Sequence, residues 1–165
     1  MSKKIIFLLM FLLVGYLLLS NKEGFNETNI EVVKKGNPLL DKLLETAHSY
    51  EGTPYKFGGT SFAGMDCSGL VYTSYKSLNI TLGRSSKNMF FEGKEVDLNE
   101  IKQGDLLFFD IDKFQGKVNH VGLVTSIDNG EVFFMHSTTQ KGVIISSIKE
   151  SYWEKAFVGA KRILI

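Results

Sequence analysis

The chain has 165 residues, of which 44% are hydrophobic and 12% aromatic, which is enough for one ordinary hydrophobic core. Its 19 lysines and arginines nearly balance its 18 aspartates and glutamates, so the formal net charge of +1 gives no electrostatic reason to expect nucleic acid as a partner. The single cysteine excludes a disulfide within the chain.

Residues 1–20 have the pattern of an export signal. Lys3 and Lys4 precede fifteen uncharged, mostly aliphatic residues at positions 5–19, and polar residues begin at Ser20. Residues 18–20 match a small-x-small cleavage site poorly, and the apolar stretch is short of the roughly 17 to 25 residues of a spanning helix. Residues 1–20 are therefore predicted to be either a cleaved signal peptide or an anchor in the cytoplasmic membrane through residues 5–19. In both cases the rest of the chain is exported to the periplasm or the cell exterior.

A linker and a first helix are predicted next. Residues 21–37 are polar with few large apolar groups and predict a linker, and residues 38–165 predict a single domain. Asn37 and Pro38 have the pattern of a helix cap followed by proline in the first turn. Apolar residues then follow helical spacing as far as Tyr50, and Gly52 predicts the end of the helix. His48 lies off the apolar stripe, which favours a surface position.

The remaining elements change from helix to strand. A second helix is predicted to begin near Cys67, after a glycine-rich connector at residues 52–59. Strands are predicted at residues 105–110, 118–127, 131–136, 143–148 and 157–163, with a turn at residues 128–130. Helices followed by strands indicate an α+β fold with an antiparallel sheet.

Cys67 and two later histidines, His120 and His136, supply the side chains that a thiol nucleophile, its base and an orienting group require. A helix start and a nearby imidazole both lower a thiol pKa, so we expect a thiolate paired with protonated His120. Simpler interpretations stay open. The cysteine could be a buried small apolar residue, Asp66 could only cap the helix, and the three side chains together could bind zinc.

The predicted hairpin can be tested by the parity of its register. A two-residue loop, Asn129 and Gly130, would put His120 and His136 on opposite faces of the sheet. A three-residue loop over residues 128–130 puts them on one face, with His136 opposite Gly122. Only the three-residue loop gives a working pair, so it is the prediction.

Several motifs resemble the NlpC/P60 family of cell-wall cysteine peptidases in order and spacing. The resemblance covers about residue 40 to the end of the chain. Its motifs are Gly-Thr-Pro-Tyr-Lys-Phe-Gly-Gly at 52–59, Asp-Cys-Ser-Gly-Leu-Val at 66–71, Arg-Ser-Ser at 84–86, Gly-Asp-Leu-Leu-Phe-Phe at 104–109, His-Val-Gly-Leu at 120–123 and His-Ser at 136–137. Two departures, Gly83 where proline is frequent and Met89 where glutamine is common, concern a flanking loop and so bear on specificity.

The resemblance implies a papain-like α+β fold, with N-terminal helices packed on an antiparallel sheet. It implies hydrolysis of peptide bonds in bacterial peptidoglycan stem peptides or crosslinks, with no cofactor and no metal. The implied catalytic residues are Cys67 as nucleophile, His120 as base and His136 as third polar residue. The implied substrate-binding residues are Tyr55, Asp66, Ser68 and Ser86.

Three questions stay open at this stage. Asp66 could also bind the free amine of a trimmed stem peptide. An acyltransferase or amidase on the same scaffold would pass the acyl group to an acceptor other than water. A wall-binding module with a degenerate site is a further class, although the presence of Cys67, His120 and His136 argues against it.

Overall fold

The first helix begins at the predicted capping residue. The computed structural model describes residues 36–113 and 115–164. Helix α1 spans Pro38–Ser49, and the Asn37 side chain accepts a hydrogen bond from the backbone N–H of Leu39 at 3.1 Å. Leu43 and Ala47 are fully buried, so the apolar stripe of α1 faces the core, as its spacing predicts.

Two short strands and a second helix follow α1, and most of the sheet comes later in the chain. The elements in chain order are β1 (Thr60–Ser61), β2 (Gly64–Met65), α2 (Cys67–Lys76), α3 (Ser86–Met89), β3 (Lys94–Val96), β4 (Leu106–Phe109), β5 (His120–Asp128), β6 (Glu131–Thr138), β7 (Gly142–Ser147), α4 (Ser151–Ala156) and β8 (Phe157–Arg162). All predicted strands are present within two residues of their bounds. The sequence patterns did not predict β1, β2, β3 or α4.

Strands β3 to β8 form one six-stranded antiparallel sheet in the order β3-β8-β4-β5-β6-β7. The predicted α+β class, with N-terminal helices and an antiparallel sheet, is confirmed. Strand β8 returns from the end of the chain to lie between β3 and β4. The central strands β4 and β5 are therefore paired on both sides, which holds the start of β5 in place.

Each face of the sheet carries its own hydrophobic cluster. On one face, residues of α1 and α2 pack on alternate residues of the strands, among them Phe108, Val121 and Leu123. The opposite face carries an aromatic cluster that includes Phe109, Phe134 and Trp153. The N-terminal helices thus cover one face and α4 covers the other.

The β5–β6 hairpin corrects the predicted loop. Its loop has only two residues, Asn129 and Gly130, with φ angles of 48° and 77°, as a two-residue turn with both residues in the left-handed region requires. Near the turn Ser126 pairs with Phe133, whereas farther along Val124 pairs with Phe134, so Thr125 is an extra residue in β5. This β-bulge restores the predicted face for the histidines. The three-residue loop was wrong, but the register that it was meant to produce is right.

The predicted signal peptide or anchor at residues 1–20, and most of the predicted linker, lie outside the described residues. Within residues 36–113 and 115–164, no helix has the length and apolar character needed to cross a membrane.

Candidate active site

Cys67 is the first residue of α2 and the preceding residue caps that helix. Asp66 has extended backbone geometry, and its Oδ1 accepts a hydrogen bond from the backbone N–H of Gly69 at 2.6 Å. The thiol is free and partly exposed. The predicted position of the cysteine at a helix start is therefore confirmed, together with the capping role of Asp66.

The Asp66 carboxylate also connects the helix start to the glycine-rich connector. Its Oδ2 accepts from the backbone N–H of Gly58 at 2.7 Å, and Arg84 donates to both carboxylate oxygens at 2.9 and 3.0 Å. Burial alone would raise the pKa of Asp66, but the bonds from Arg84, Gly69 and Gly58 lower it. Asp66 is therefore ionised at neutral pH and holds Cys67 in a fixed position.

Arg84 joins three segments around the helix start. Besides Asp66 it donates to the Gly59 carbonyl at 3.2 Å and to Ser68 Oγ at 3.0 Å. The Gly59 carbonyl lies so close to Gly69 that a Cβ at position 69 would come within 2.1 Å of it. The sequence motif contained Arg84, but the pattern alone did not indicate that the arginine neutralises the residue before the nucleophile.

His120 and His136 form a direct hydrogen-bonded pair. His120 begins β5 and His136 lies in β6, and His120 Nε2 is 2.9 Å from His136 Nδ1. The two rings are nearly perpendicular, at 87°. The predicted placement of both imidazoles on one face of the sheet is confirmed.

Two further residues, which sequence reasoning did not identify, hold the pair. Ser146 Oγ lies 3.1 Å from His136 Nε2. Trp153 stacks on His120 with a centroid separation of 5.5 Å and meets the edge of His136 at 4.6 Å. The signals for them were weak. Ser146 lies in a predicted strand whose register was unknown, and Trp153 lies in a short helix that the sequence did not predict.

Both imidazoles are neutral in the resting site. Burial lowers the pKa of His120 to about 4, and burial together with the neighbouring His120 lowers the pKa of His136 to about 3. His136 is completely inaccessible to solvent and His120 nearly so. A proton placed on either ring would therefore have little access to water.

The expected low pKa of the thiol is wrong in direction. Burial raises the pKa of Cys67 and the nearby Asp66 carboxylate adds to this, whereas the backbone N–H groups of Val121, Ser68 and Cys67 itself partly offset it. Burial outweighs the helix start because a thiolate loses its hydration there. The resting site therefore holds a neutral thiol beside neutral imidazoles rather than an ion pair.

A cleft of about 530 Å³ contains the reactive groups. Tyr55, Cys67 and His120 all line it, and burial, Cys67 and Asp66 together raise the pKa of Tyr55. Of the other predicted substrate-binding residues, Asp66 and Ser68 lie in the Arg84 network beneath the helix start. Ser86 is buried at the first position of α3. Only Tyr55 of these four is a lining residue of the cleft.

The alternative of a zinc site requires a cluster of ligand side chains. Across the described part of the chain, no group of three or more histidine, cysteine, aspartate or glutamate side chains is arranged to hold a metal ion.

Comparisons with known proteins show the family to which the chain is similar. The sequence pattern described as the NlpC/P60 family matches residues 52–162. The chain is 35% identical over 153 residues to a probable endopeptidase NlpC homolog of Haemophilus influenzae, covering 89% of this chain and 78% of that one. It is 35% identical over 138 residues to the murein DD-endopeptidase MepH of Escherichia coli, covering 81% of this chain and 48% of that one.

A solved structure extends the likeness to the fold. The crystal structure of an NlpC/P60 family protein from Bacillus cereus superimposes with a TM-score of 0.70 at 35% identity, covering 79% of this chain. The matched part is 42% of that longer protein. Family pattern, relatives and solved structure agree with the papain-like α+β fold. The chain belongs to the NlpC/P60 family.

Proposed function

We propose that this protein is a cysteine endopeptidase that hydrolyses peptide bonds in the stem peptides or crosslinks of bacterial peptidoglycan. The observation that carries the proposal is a free thiol at a capped helix start that shares a cleft with one member of a hydrogen-bonded histidine pair. Relatives support the substrate class, since one is named a murein DD-endopeptidase and another, from Bacillus cereus, a gamma-D-glutamyl-L-lysine dipeptidyl-peptidase.

The hydrogen bonds of the histidine pair support a separate role for each ring. Since His120 Nε2 faces His136, the other ring nitrogen, Nδ1, is the atom available to take the proton from Cys67. His120 Nε2–H then donates to His136 Nδ1, and His136 Nε2–H donates to Ser146 Oγ. In this tautomer His136 orients the base and does not itself exchange protons with substrate.

The reaction follows from these roles. The Cys67 sulfur attacks the peptide carbonyl while its proton passes to His120, because no stable ion pair exists beforehand. Backbone N–H groups at the start of α2, including that of Cys67, stabilise the oxyanion. The protonated His120 then donates to the leaving amine, and the acyl group stays on sulfur as a thioester. Water activated by the now neutral His120 hydrolyses the thioester and regenerates the thiol.

The four predicted substrate-binding residues differ in how far the structure supports a contact with substrate. Tyr55 is proposed to contact the substrate directly, because it lines the cleft beside Cys67. Ser68 and Ser86 stay predictions as substrate contacts. Binding of a free substrate amine to Asp66 also stays a prediction, and it would require the amine to share the carboxylate with Arg84.

The N-terminal segment is proposed to export the enzyme. Residues 1–20 would act as a signal peptide or as a membrane anchor, which places the site on the side where peptidoglycan lies. Fusing residues 1–37 to alkaline phosphatase, which is active only after export, tests the first step. Separating membranes from soluble material then distinguishes anchoring from cleavage. An inactive fusion would contradict the proposal.

Mass spectrometry of muropeptides incubated with the full-length protein tests the activity. Hydrolysis predicts two products whose masses together exceed that of the substrate by one water, and their sequences identify the bond. Cys67→Ala must abolish both products. Transfer of the acyl group to an amine or lipid acceptor would instead indicate the acyltransferase, and intact muropeptides at every enzyme concentration would refute both activities.

A further inference from the structure

A second cavity adjoins the catalytic cleft. It has a volume of about 560 Å³ and lies between the α3 region and the loop that joins β4 to β5. Asn119, which directly precedes His120 in the chain, lines both cavities. We name the second cavity the lysine groove, after Lys87, Lys113 and Lys117 in its wall.

Asp110 organises the loop side of the lysine groove. Its carboxylate accepts hydrogen bonds from the backbone N–H groups of Gln115 at 2.6 Å and Lys117 at 3.1 Å, and from Asn119 Nδ2 at 3.2 Å. Burial alone would raise the pKa of Asp110, but the backbone N–H groups that it accepts from lower it to about 2. The Asp110 charge is thus directed at its own loop, and it fixes the loop backbone that carries Lys113 and Lys117.

The lysines give the lysine groove its charge. Lys87, Lys113 and Lys117 are exposed, and none of the three forms an ion pair with a carboxylate among the described residues. Asp112 is the other acidic residue of the wall and is exposed. Phe91, which is 80% exposed, adds an apolar surface. Ammonium groups beside an apolar surface suit a ligand that combines carboxylates with small aliphatic side chains.

The position of the lysine groove indicates which half of the substrate it meets. His120 donates its proton to the leaving amine, so the leaving segment lies on the His120 side of the cleft. Asn119 continues the cleft from His120 into the lysine groove. Two bonds are candidates: the one from D-glutamate to the diamino acid within a stem, and the one from D-alanine to a diamino acid in a crosslink. In both, the leaving amine belongs to the diamino acid residue, and the peptide that carries it ends in a carboxyl group.

We propose that the lysine groove binds carboxylates of the leaving segment, so that the enzyme prefers stem peptides with free carboxylates there over peptides in which these groups are amidated. The inference rests on the proposed endopeptidase activity and adds the chemistry of its leaving-side subsite. Lys113 and Lys117 are expected to act on substrate binding rather than on the chemical step.

A pair of synthetic stem peptides, identical except for carboxylate or carboxamide groups on the leaving segment, tests the preference. We expect the full-length protein to hydrolyse the acid with a kcat/KM about tenfold above that of the amide at low salt, mainly through KM. Raising the salt from about 0.02 to 0.5 M should shrink this ratio, because exposed charges are screened.

Charge reversal at the loop lysines identifies the site. Lys113→Glu/Lys117→Glu should bring the acid-to-amide ratio to about one or below, and Lys113→Gln/Lys117→Gln should have an intermediate effect. The matched control is Lys42→Glu/Lys94→Glu, which makes the same change of net charge at two exposed lysines outside both cavities and should retain the wild-type ratio.

The outcomes separate the two proposals. A wild-type enzyme that cleaves acid and amide equally, or a control that loses the preference as fully as the loop variant, would overturn the carboxylate subsite while Cys67-dependent hydrolysis still supports the endopeptidase. Failure to cleave either peptide or any muropeptide would overturn the endopeptidase itself, and the subsite with it.

Discussion

At Cys67, the helix start and burial act on the pKa of the thiol in opposite directions. Backbone N–H groups favour a thiolate, but burial and the adjacent Asp66 carboxylate disfavour it, and the result is a raised pKa for Cys67. His120 and His136 are neutral for the same reason, because burial lowers the pKa of each imidazole. These pKa directions favour activation of the proposed nucleophile by the approach of substrate over a charge separation that precedes it.

The neutral thiol predicts slow alkylation. At pH 7 we expect iodoacetamide to modify Cys67 more slowly than N-acetylcysteine, with a rate that still rises above pH 9, because only the thiolate reacts and its fraction is small. Intact-mass measurement follows the reaction at one site, since Cys67 is the only cysteine. Fast alkylation that is independent of pH between 6 and 8 would instead indicate a thiolate–imidazolium pair.

The role of His136 predicts a graded series of variants. If His136 orients His120, His136→Asn or His136→Gln should keep measurable hydrolysis, whereas His136→Ala should lose roughly 10- to 100-fold. Single-turnover rates on one muropeptide measure the series. An alanine variant with the wild-type rate would remove His136 from the site, and an asparagine variant as inactive as alanine would make His136 the general base.

Among the secondary-structure elements, the β5–β6 hairpin brings His120 to His136. The bulge at Thr125 shifts the register between β5 and β6 by one residue, so that Val124 pairs with Phe134. This shift compensates for the short loop. Gly122 has no space for a side chain. A Cβ there would come within 2.4 Å of the Phe134 ring, which packs against His136, so the glycine makes room for Phe134 rather than for the imidazole.

Gly122→Ala is therefore predicted to destabilise the hairpin by overpacking. We expect a loss of about 1 to 3 kcal/mol in the free energy of unfolding, measured by urea denaturation, with lower activity as Phe134 presses on His136. Gly159→Ala is the matched control in the same sheet, because its Cβ would meet Phe90 at an ordinary 3.4 Å. Combining Gly122→Ala with Phe134→Leu should recover part of the loss, and equal effects of the two alanine substitutions would contradict the account.

For the whole molecule, the sequence predicted those features that depend on residues close together in the chain. The cap at Asn37, the helix start at Cys67 and the order of helices and strands required only neighbouring residues. The family resemblance supplied the predicted catalytic residues. Contacts between distant elements were not predictable in this way. The bulge at Thr125, the stacking of Trp153 on His120 and the pairing of Arg84 with Asp66 depend on tertiary packing. The thiol pKa was mispredicted because burial has no local signal.

The buried histidine pair also predicts how global stability depends on pH. As the pH falls from 7 to 5, the unfolded chain protonates at His120 and His136 while the folded protein does not, so the free energy of unfolding decreases. The expected loss is about 2 kcal/mol for each histidine. Urea denaturation at both pH values measures it, and His136→Gln should show a smaller difference. A wild-type protein equally stable at pH 7 and pH 5 would contradict the prediction.

The bulge in β5 has an evolutionary consequence. Between Val124 and Phe134 one residue has no partner in the regular pairing, and here that residue is Thr125. A third loop residue in place of the bulge would give the histidines the same register. Sequence drift can therefore move the unpaired residue between strand and loop without disturbing the histidines. Deletion of Thr125 would also keep Val124 opposite Phe134, because Ser126 and Phe133 would then form the next regular pair before the same two-residue loop. We therefore expect homologous hairpins to differ by single residues at the bulge or in the loop while the register of the histidines is kept.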